Sequence, residues 1–449
     1  MSDTATLPAS LPEVADAQPP KLPPVAERTL RNGLRVMAVR RTGVPRVEAR
    51  LRIPIARGKA VGDGAAERVL AGTLLSGTAT RSATDIAEHL QLMGSGLFAS
   101  AGSEELSLAG SVLSGNLAPF LELMAEAIAE PAFPKDEVEL QKARVAQEVV
   151  IGGSQPALQA QKALVERIYG SHPYARVLPA VESVEALKRA SLVKAKDGRL
   201  LPNGSALVLV GELRPERALD LAERAFGGWK GVRGGKVGLP APAPFSTGPI
   251  VLVDRPGAVQ TNIRVGGNAL SRTAAGYPAL ALANMVFGGY FSSRLVENIR
   301  ERRGYTYSPH SGIEHRHEAS NFNVGADVAT EVTAAALVEI RYELGRMAAA
   351  PVDADELDGA RRYLIGNMAL AHQTQAGLAS YIALLTAGGL GIEYLRDFPE
   401  ALLDVTIDDV LAAGAAFLAP RRLVTALVGD ASRVRESLEL LDDVEVHSL

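Results

Sequence analysis

The chain has 449 residues, too many for one hydrophobic core, so two to four domains are expected. Its 47% hydrophobic and 22% charged residues are those of an ordinary globular protein, and a net charge of −4 with interspersed signs gives no electrostatic case for nucleic acid. Zero Cys excludes disulfides, thiol nucleophiles and Cys-bearing metal sites, and no apolar run reaches the roughly 18 residues of a membrane span.

Residues 1–27 form a Pro-rich extension with neither the basic nor the apolar region of a signal peptide. The expectation is a cytoplasmic protein as the sequence stands, or a periplasmic one if a signal has been removed. From Arg28, RTLRNGLRVMAVRR predicts a hairpin around Asn32-Gly33, a dipeptide that accepts positive φ, and VEARLRIPIARG the next strand. Apolar spacing then predicts helices in DIAEHLQLMG and NLAPFLELMAEAIAEP, and ALVLVGEL reads as a closing strand. GGWKGVRGGKVGLPAPAPFSTGP, rich in Gly and then Pro, has no periodicity, and places a linker at 236–247. Beyond it the order recurs: strands in IVLVDRPGAVQTNIRVGGNAL, helices in GYPALALANMVFGG and VTAAALVEIRYELGRMA, and a closing strand VTALVGD.

That recurrence is written in the residues. PKDEVELQKAR from Pro134 and PVDADELDGAR from Pro351 share P-x-D-x-x-E-L-x-x-A-R, 217 residues apart. The closing strands repeat the relation through Gly211 and Gly429, 218 apart. Two landmarks with nearly one offset predict tandem copies of a domain, at 28–235 and 248–449. Strands grouped with helices predict an α+β class, each copy a mostly antiparallel sheet with helices on one face.

The most informative stretch is FSSRLVENIRERRGYTYS, Phe291 to Ser308. Leu295 and Ile299, four apart, give a helix one buried stripe, and Gly304 stops it. Arg300 in the last turn and Tyr307 past the Gly can converge on one point, a fixed cation and a phenol donor suited to a developing oxyanion. The bland alternative is a solvated helix Arg and a half-buried strand Tyr. The stretch resembles the C-terminal half of the pitrilysin and mitochondrial-processing-peptidase family of zinc metallopeptidases, which carries such a pair after a similar Ser-Arg-Leu helix. The likeness runs from about Arg28 to Leu441.

The family also needs H-x-x-E-H on a helix of its N-terminal half, two His ligands one turn apart and a Glu general base. No such motif occurs here. Counting back from the Gly-Thr that follows the family's zinc helix, here Gly77-Thr78, Arg68 falls on the first His, Ala71 on the Glu and Gly72 on the second His. Glu148 sits where the third ligand would be, and one carboxylate does not hold zinc.

The resemblance therefore implies half an active site. This chain would bind no cofactor, be inactive alone, and lend Arg300 and Tyr307 to a zinc-bearing homologous subunit with its own H-x-x-E-H, the pair hydrolysing extended peptides. The alternative it leaves open is a non-catalytic scaffold or peptide-binding protein. Glu314-His315-Arg316-His317-Glu318 offers two His on one strand face but no third ligand, and reads as a polar strand edge or loop. His172 in GSHPYAR, a segment the family also tends to carry, reads as a structural turn.

Overall fold

The computed structural model describes residues 20–55, 62–231 and 238–448. Most of the extension at 1–27 and the first two residues of the linker at 236–247 lie outside them.

Two six-stranded sheets follow each other along the chain. The first contains β1 (Val25–Thr29), β2 (Arg35–Arg40), β3 (Arg46–Pro54), β4 (Gly96–Ala101), β5 (Glu105–Leu113) and β6 (Ala206–Gly211), in the order β1-β2-β6-β3-β5-β4. The second contains β7 (Ile250–Asp254), β8 (Gln260–Asn268), β9 (His310–His315), β10 (Ser320–Ala329), β11 (Val424–Gly429) and β12 (Val444–Ser448), in the order β12-β7-β11-β8-β10-β9. The two orders superpose strand for strand except at one edge. There the first sheet uses the N-terminal β1, antiparallel to β2, and the second uses the C-terminal β12, parallel to β7. The predicted hairpin forms with Gly33 at φ +91°, and its first strand starts at Val25, inside the span assigned to the Pro-rich extension.

The repeated motifs occupy matching places. PKDEVELQKAR opens the helix Lys135–Ser154, PVDADELDGAR the helix Ala354–Ala371, and the two closing strands are β6 and β11. Both closing strands are buried at every position, which an antiparallel sheet with one wet face would not require.

Their second faces are covered from across the molecule. Leu207 and Leu209 of β6 point into the first core, while Met37, Val39, Val208 and Val210 pack on Leu378, Ile382 and Leu385 of the helix Gln375–Ala387 in the second half. The exchange is reciprocal: Val251, Val424 and Ala426 of the second sheet pack on Leu164, Val165 and Ile168 of the helix Pro156–Tyr169 in the first half. Helices on one face was the expectation; each sheet instead carries its own helices on one face and a helix of the other half on the opposite one. Burying Leu378, Ile382 and Leu385 stabilises the pairing by roughly 5–9 kcal/mol before entropy losses, so the halves form one packed unit.

Candidate functional site

Arg300 and Tyr307 are brought together. Ser293 precedes a short helical turn, Arg294–Val296, which widens into a π-helical turn, Glu297–Arg302. The widened ladder is visible in Arg303 N, which donates to Asn298 O at 3.0 Å, five residues back. Leu295 and Ile299 are fully buried, as their spacing predicted, and Gly304 ends the turn at φ +65°. The segment is tied down at both ends. Arg294 donates to both Glu356 oxygens at 2.6 and 2.5 Å, and Thr306 Oγ1 donates to Asp327 O of β10 at 2.6 Å. Between them, Asn298 Nδ2 reaches Glu339 at 2.9 Å and Glu343 at 2.8 Å.

On this base the Arg300 guanidinium lies 4.5 Å from the Tyr307 ring centroid and 4.6 Å from that of Phe291. Its Nε is 3.1 Å from Glu301 Oε1. Two rings against one guanidinium restrict its rotamers, and the side chain is left 25% exposed. Tyr307 is 79% exposed and Phe291 62%, an unusual cost for two aromatic side chains in one place. Tyr307 also lines a groove of about 470 Å³ with Gln260, His310 and Asp327. Phe291 was missed from sequence. Its signal was an aromatic residue at the start of the same segment, which periodicity alone assigns no role.

The positions that resemblance matched to zinc ligands lie on the helix Ala65–Thr73, beside Lys135–Ser154. Ala71 is buried, and a Cβ on Gly72 would meet Gln141 Oε1 at 2.6 Å, so the Gln141 amide fills the space of a second His. Arg68 Nη2 points to Val177 O at 3.4 Å. Glu148 is exposed and accepts from Arg144 Nε at 3.0 Å, one turn away on its own helix. Among the described residues no three His, Asp or Glu side chains converge as a metal set.

The other singled-out groups are structural. His315 accepts and donates between Ser320 Oγ at 2.9 Å and Tyr277 OH at 3.1 Å, and burial, with a smaller push from Arg272, lowers its pKa to about 4. His172 Nε2 donates to Pro240 O at 3.0 Å and its Nδ1 accepts from Tyr174 N at 3.2 Å, closing the predicted turn. Tyr174 in turn bonds the Glu104 carboxylate, and burial with that carboxylate pushes its hydroxyl pKa up. Arg316 from the second half stacks on the Tyr174 ring at 4.8 Å and donates to Tyr174 O at 3.0 Å, so this turn clamps the two halves.

Comparison with known proteins matches residues 69–180 to the insulinase model of peptidase family M16 and residues 187–364 to the peptidase M16 inactive domain, together well over half of the chain. The chain belongs to the M16 peptidase family. An uncharacterized zinc protease of Mycobacterium leprae is 26% identical over 294 residues, covering 65% of this chain and 66% of that protein. One from Mycobacterium bovis is 28% identical over 248 residues, 54% of this chain and 56% of that protein, so the matches span about half to two thirds of these relatives. One from Rickettsia bellii is 24% identical over 351 residues, covering 77% of this chain and 84% of its own. Among solved structures, a peptidase M16 inactive domain from Pseudomonas fluorescens has a TM-score of 0.84 at 23% identity, over 91% of this chain and 98% of that one. A protease from Helicobacter pylori has the same TM-score at 18% identity, over 91% and 100%, and both support the fold. This M16 chain lacks the zinc motif, and Arg68, the filled space at Gly72 and the outward Glu148 do not fit a zinc ion.

Proposed function

We propose that this M16 chain is the zinc-free subunit of a two-chain peptidase and supplies Arg300 and Tyr307 to the active site of a zinc-bearing homologue. The observation that carries the reading is the Arg300 guanidinium held against the Phe291 and Tyr307 rings, with both rings exposed, in a chain whose own ligand positions are Arg68, Ala71 and Gly72. A solitary M16 subunit gains no packing energy from two exposed rings. A site completed by a second chain puts them to use.

In this reading a zinc ion held by the partner's H-x-x-E-H would supply an activated water, with the partner's Glu as general base. Tyr307 OH and the Arg300 N–H groups donate to the scissile carbonyl oxygen as it gains negative charge, where charge-assisted bonds are strongest. Arg300 also grips the peptide backbone, and its two rings hold it in place before substrate arrives, so little ordering is left for the moment of reaction. Substrates are extended or unfolded peptides.

Co-expression with an H-x-x-E-H homologue tests this. The two chains are expected to leave a size-exclusion column together at micromolar concentration, across an interface of standard size or larger. Separate elution, with no peptide digestion on mixing, removes the support.

A further inference from the structure

Arg68 stands in a cavity of about 580 Å³ between the two halves of the chain. Four arginines line it: Arg68, Arg176 and Arg199 from the first half and Arg316 from the second. Among the described residues none of its three carboxylates pairs with Arg68. Glu67 is buried against Arg199, Glu314 pairs with Arg316 at 3.1 Å, and Asp63 accepts from the backbone N–H groups of Ala65 and Ala180, both at 3.2 Å. Among the described residues Arg68 has no carboxylate partner, and its hydrogen bond to Val177 O, at 3.4 Å, is long. A guanidinium left without an acid in a half-open cavity of mixed polar and apolar lining is a carboxylate receptor by its chemistry, because its planar fork matches two carboxylate oxygens.

The place of the cavity adds to this. Gln161 and Asn323 supply neutral amides beside the arginines, groups suited to a peptide backbone. Asn323 lies on β10 four residues from Asp327, which lines the Tyr307 groove. An even spacing puts both side chains on one face of the strand, about 13 Å apart, the span of roughly four extended residues.

We propose that this cavity is a carboxylate-binding subsite for peptides, with Arg68 as the residue that takes the charge, so that the side chain displacing a metal ligand has become a substrate anchor. The choice of peptide as ligand rests on the peptidase-subunit reading; the binding itself does not need a partner chain. The carboxylate is either the peptide's C-terminus or an acidic side chain.

The test is fluorescence anisotropy on the full chain alone, with three N-terminally labelled decapeptides of otherwise neutral sequence: a free C-terminal acid, its amide, and the amide carrying one internal Glu. At least one carboxylate peptide is expected to bind ten-fold or more tighter than the neutral amide. Tighter binding of the free acid alone identifies the C-terminus; tighter binding of the Glu peptide alone identifies a side chain. Arg68→Gln should abolish the difference and Arg68→Lys, which keeps the charge but loses the fork, should keep only part of it, both with an unchanged circular dichroism spectrum and melting temperature. Equal affinity of all three peptides overturns the proposal, as does a difference that survives Arg68→Gln. Because no zinc-bearing chain is present, that failure leaves the Arg300 and Tyr307 assignment untouched, and failure to assemble with a homologue leaves this result standing.

Discussion

Replacing Tyr307 by Phe in the proposed two-chain peptidase removes one hydroxyl and little else. The ring keeps its place against the Arg300 guanidinium, 4.5 Å from centroid to Cζ, and a residue 79% exposed contributes little burial to the fold. Loss of one oxyanion donor costs about 10²–10³ in kcat, or roughly 2.7–4 kcal/mol, so turnover should fall at least about 100-fold with KM and assembly unchanged. Phe291→Ala makes the complementary cut. It keeps the hydroxyl and strips the second ring from Arg300, a cation–π contact worth about 0.5–1 kcal/mol at an exposed site, so a loss of only roughly 2–5-fold is expected. Arg300→Ala removes the cation itself and should cost at least as much as Tyr307→Phe, with KM raised as well. Arg302→Ala is the control, because that side chain pairs with Glu297 at 2.5 Å and is expected to be nearly silent. The assay is steady-state cleavage of an internally quenched peptide by the complex with a zinc-bearing homologue, with zinc content and elution volume checked for each variant. Full turnover in both Tyr307→Phe and Arg300→Ala would refute the reasoning, and a non-catalytic scaffold would then be the better description.

Other outcomes follow from the fold. Leu164, fully buried between the helix Pro156–Tyr169 and the second sheet, should cost about 3 kcal/mol as Leu164→Ala, read from urea unfolding; a loss under about 1 kcal/mol would mean the halves are not held through this helix. His315 is lowered from 6.5 to about 4 by burial, so between those pH values the unfolded chain binds a proton the folded chain resists, and stability declines as pH falls through that window. His315→Gln should flatten the change in urea midpoint between pH 7 and pH 5, and an unchanged slope would show that His315 is not the titrating group. Gly72→Ala pits a helix-propensity gain of up to about 1 kcal/mol against moving the flexible end of Gln141, and should be within about 0.5 kcal/mol of neutral by thermal unfolding; a larger loss would mean that Gln141 is locked in place.

The tandem architecture was legible because a repeat writes itself twice: the P-x-D-x-x-E-L-x-x-A-R helices and the strands ending at Gly211 and Gly429 recur at one offset. The reciprocal packing was not. An apolar stripe such as Leu164, Val165 and Ile168 says that a helix is buried, but not against which sheet. The continuous apolar runs ALVLVG and VTALVG did carry a hint, since strands buried on both faces need cover from somewhere. The strand β12 escaped because VEVHS is mostly exposed and held by backbone pairing to β7, which leaves no apolar alternation to read.

At the site, the meeting of Arg300 and Tyr307 followed from a helix end, a Gly stop and the spacing between them. What spacing could not convey was the π-helical widening at Glu297–Arg302, which changes the rotation per residue without any residue that marks it, and the second ring from Phe291. The degenerate half was legible as missing ligands. That Gln141 fills the space at Gly72, and that Arg68 faces a cavity shared with the second half, depends on contacts between segments far apart in the chain.

The central claim is that this chain carries half of the chemistry and none of the zinc. Peptide turnover measured for this chain alone, for a zinc-bearing homologue alone and for the two mixed, with zinc counted by elemental analysis in each sample, tests it most directly. The account predicts cleavage in the mixture alone, one zinc per pair of chains, and well under one zinc per molecule in the isolated chain. Near-stoichiometric zinc in this chain by itself, together with chelator-sensitive cleavage of the peptide, would contradict it.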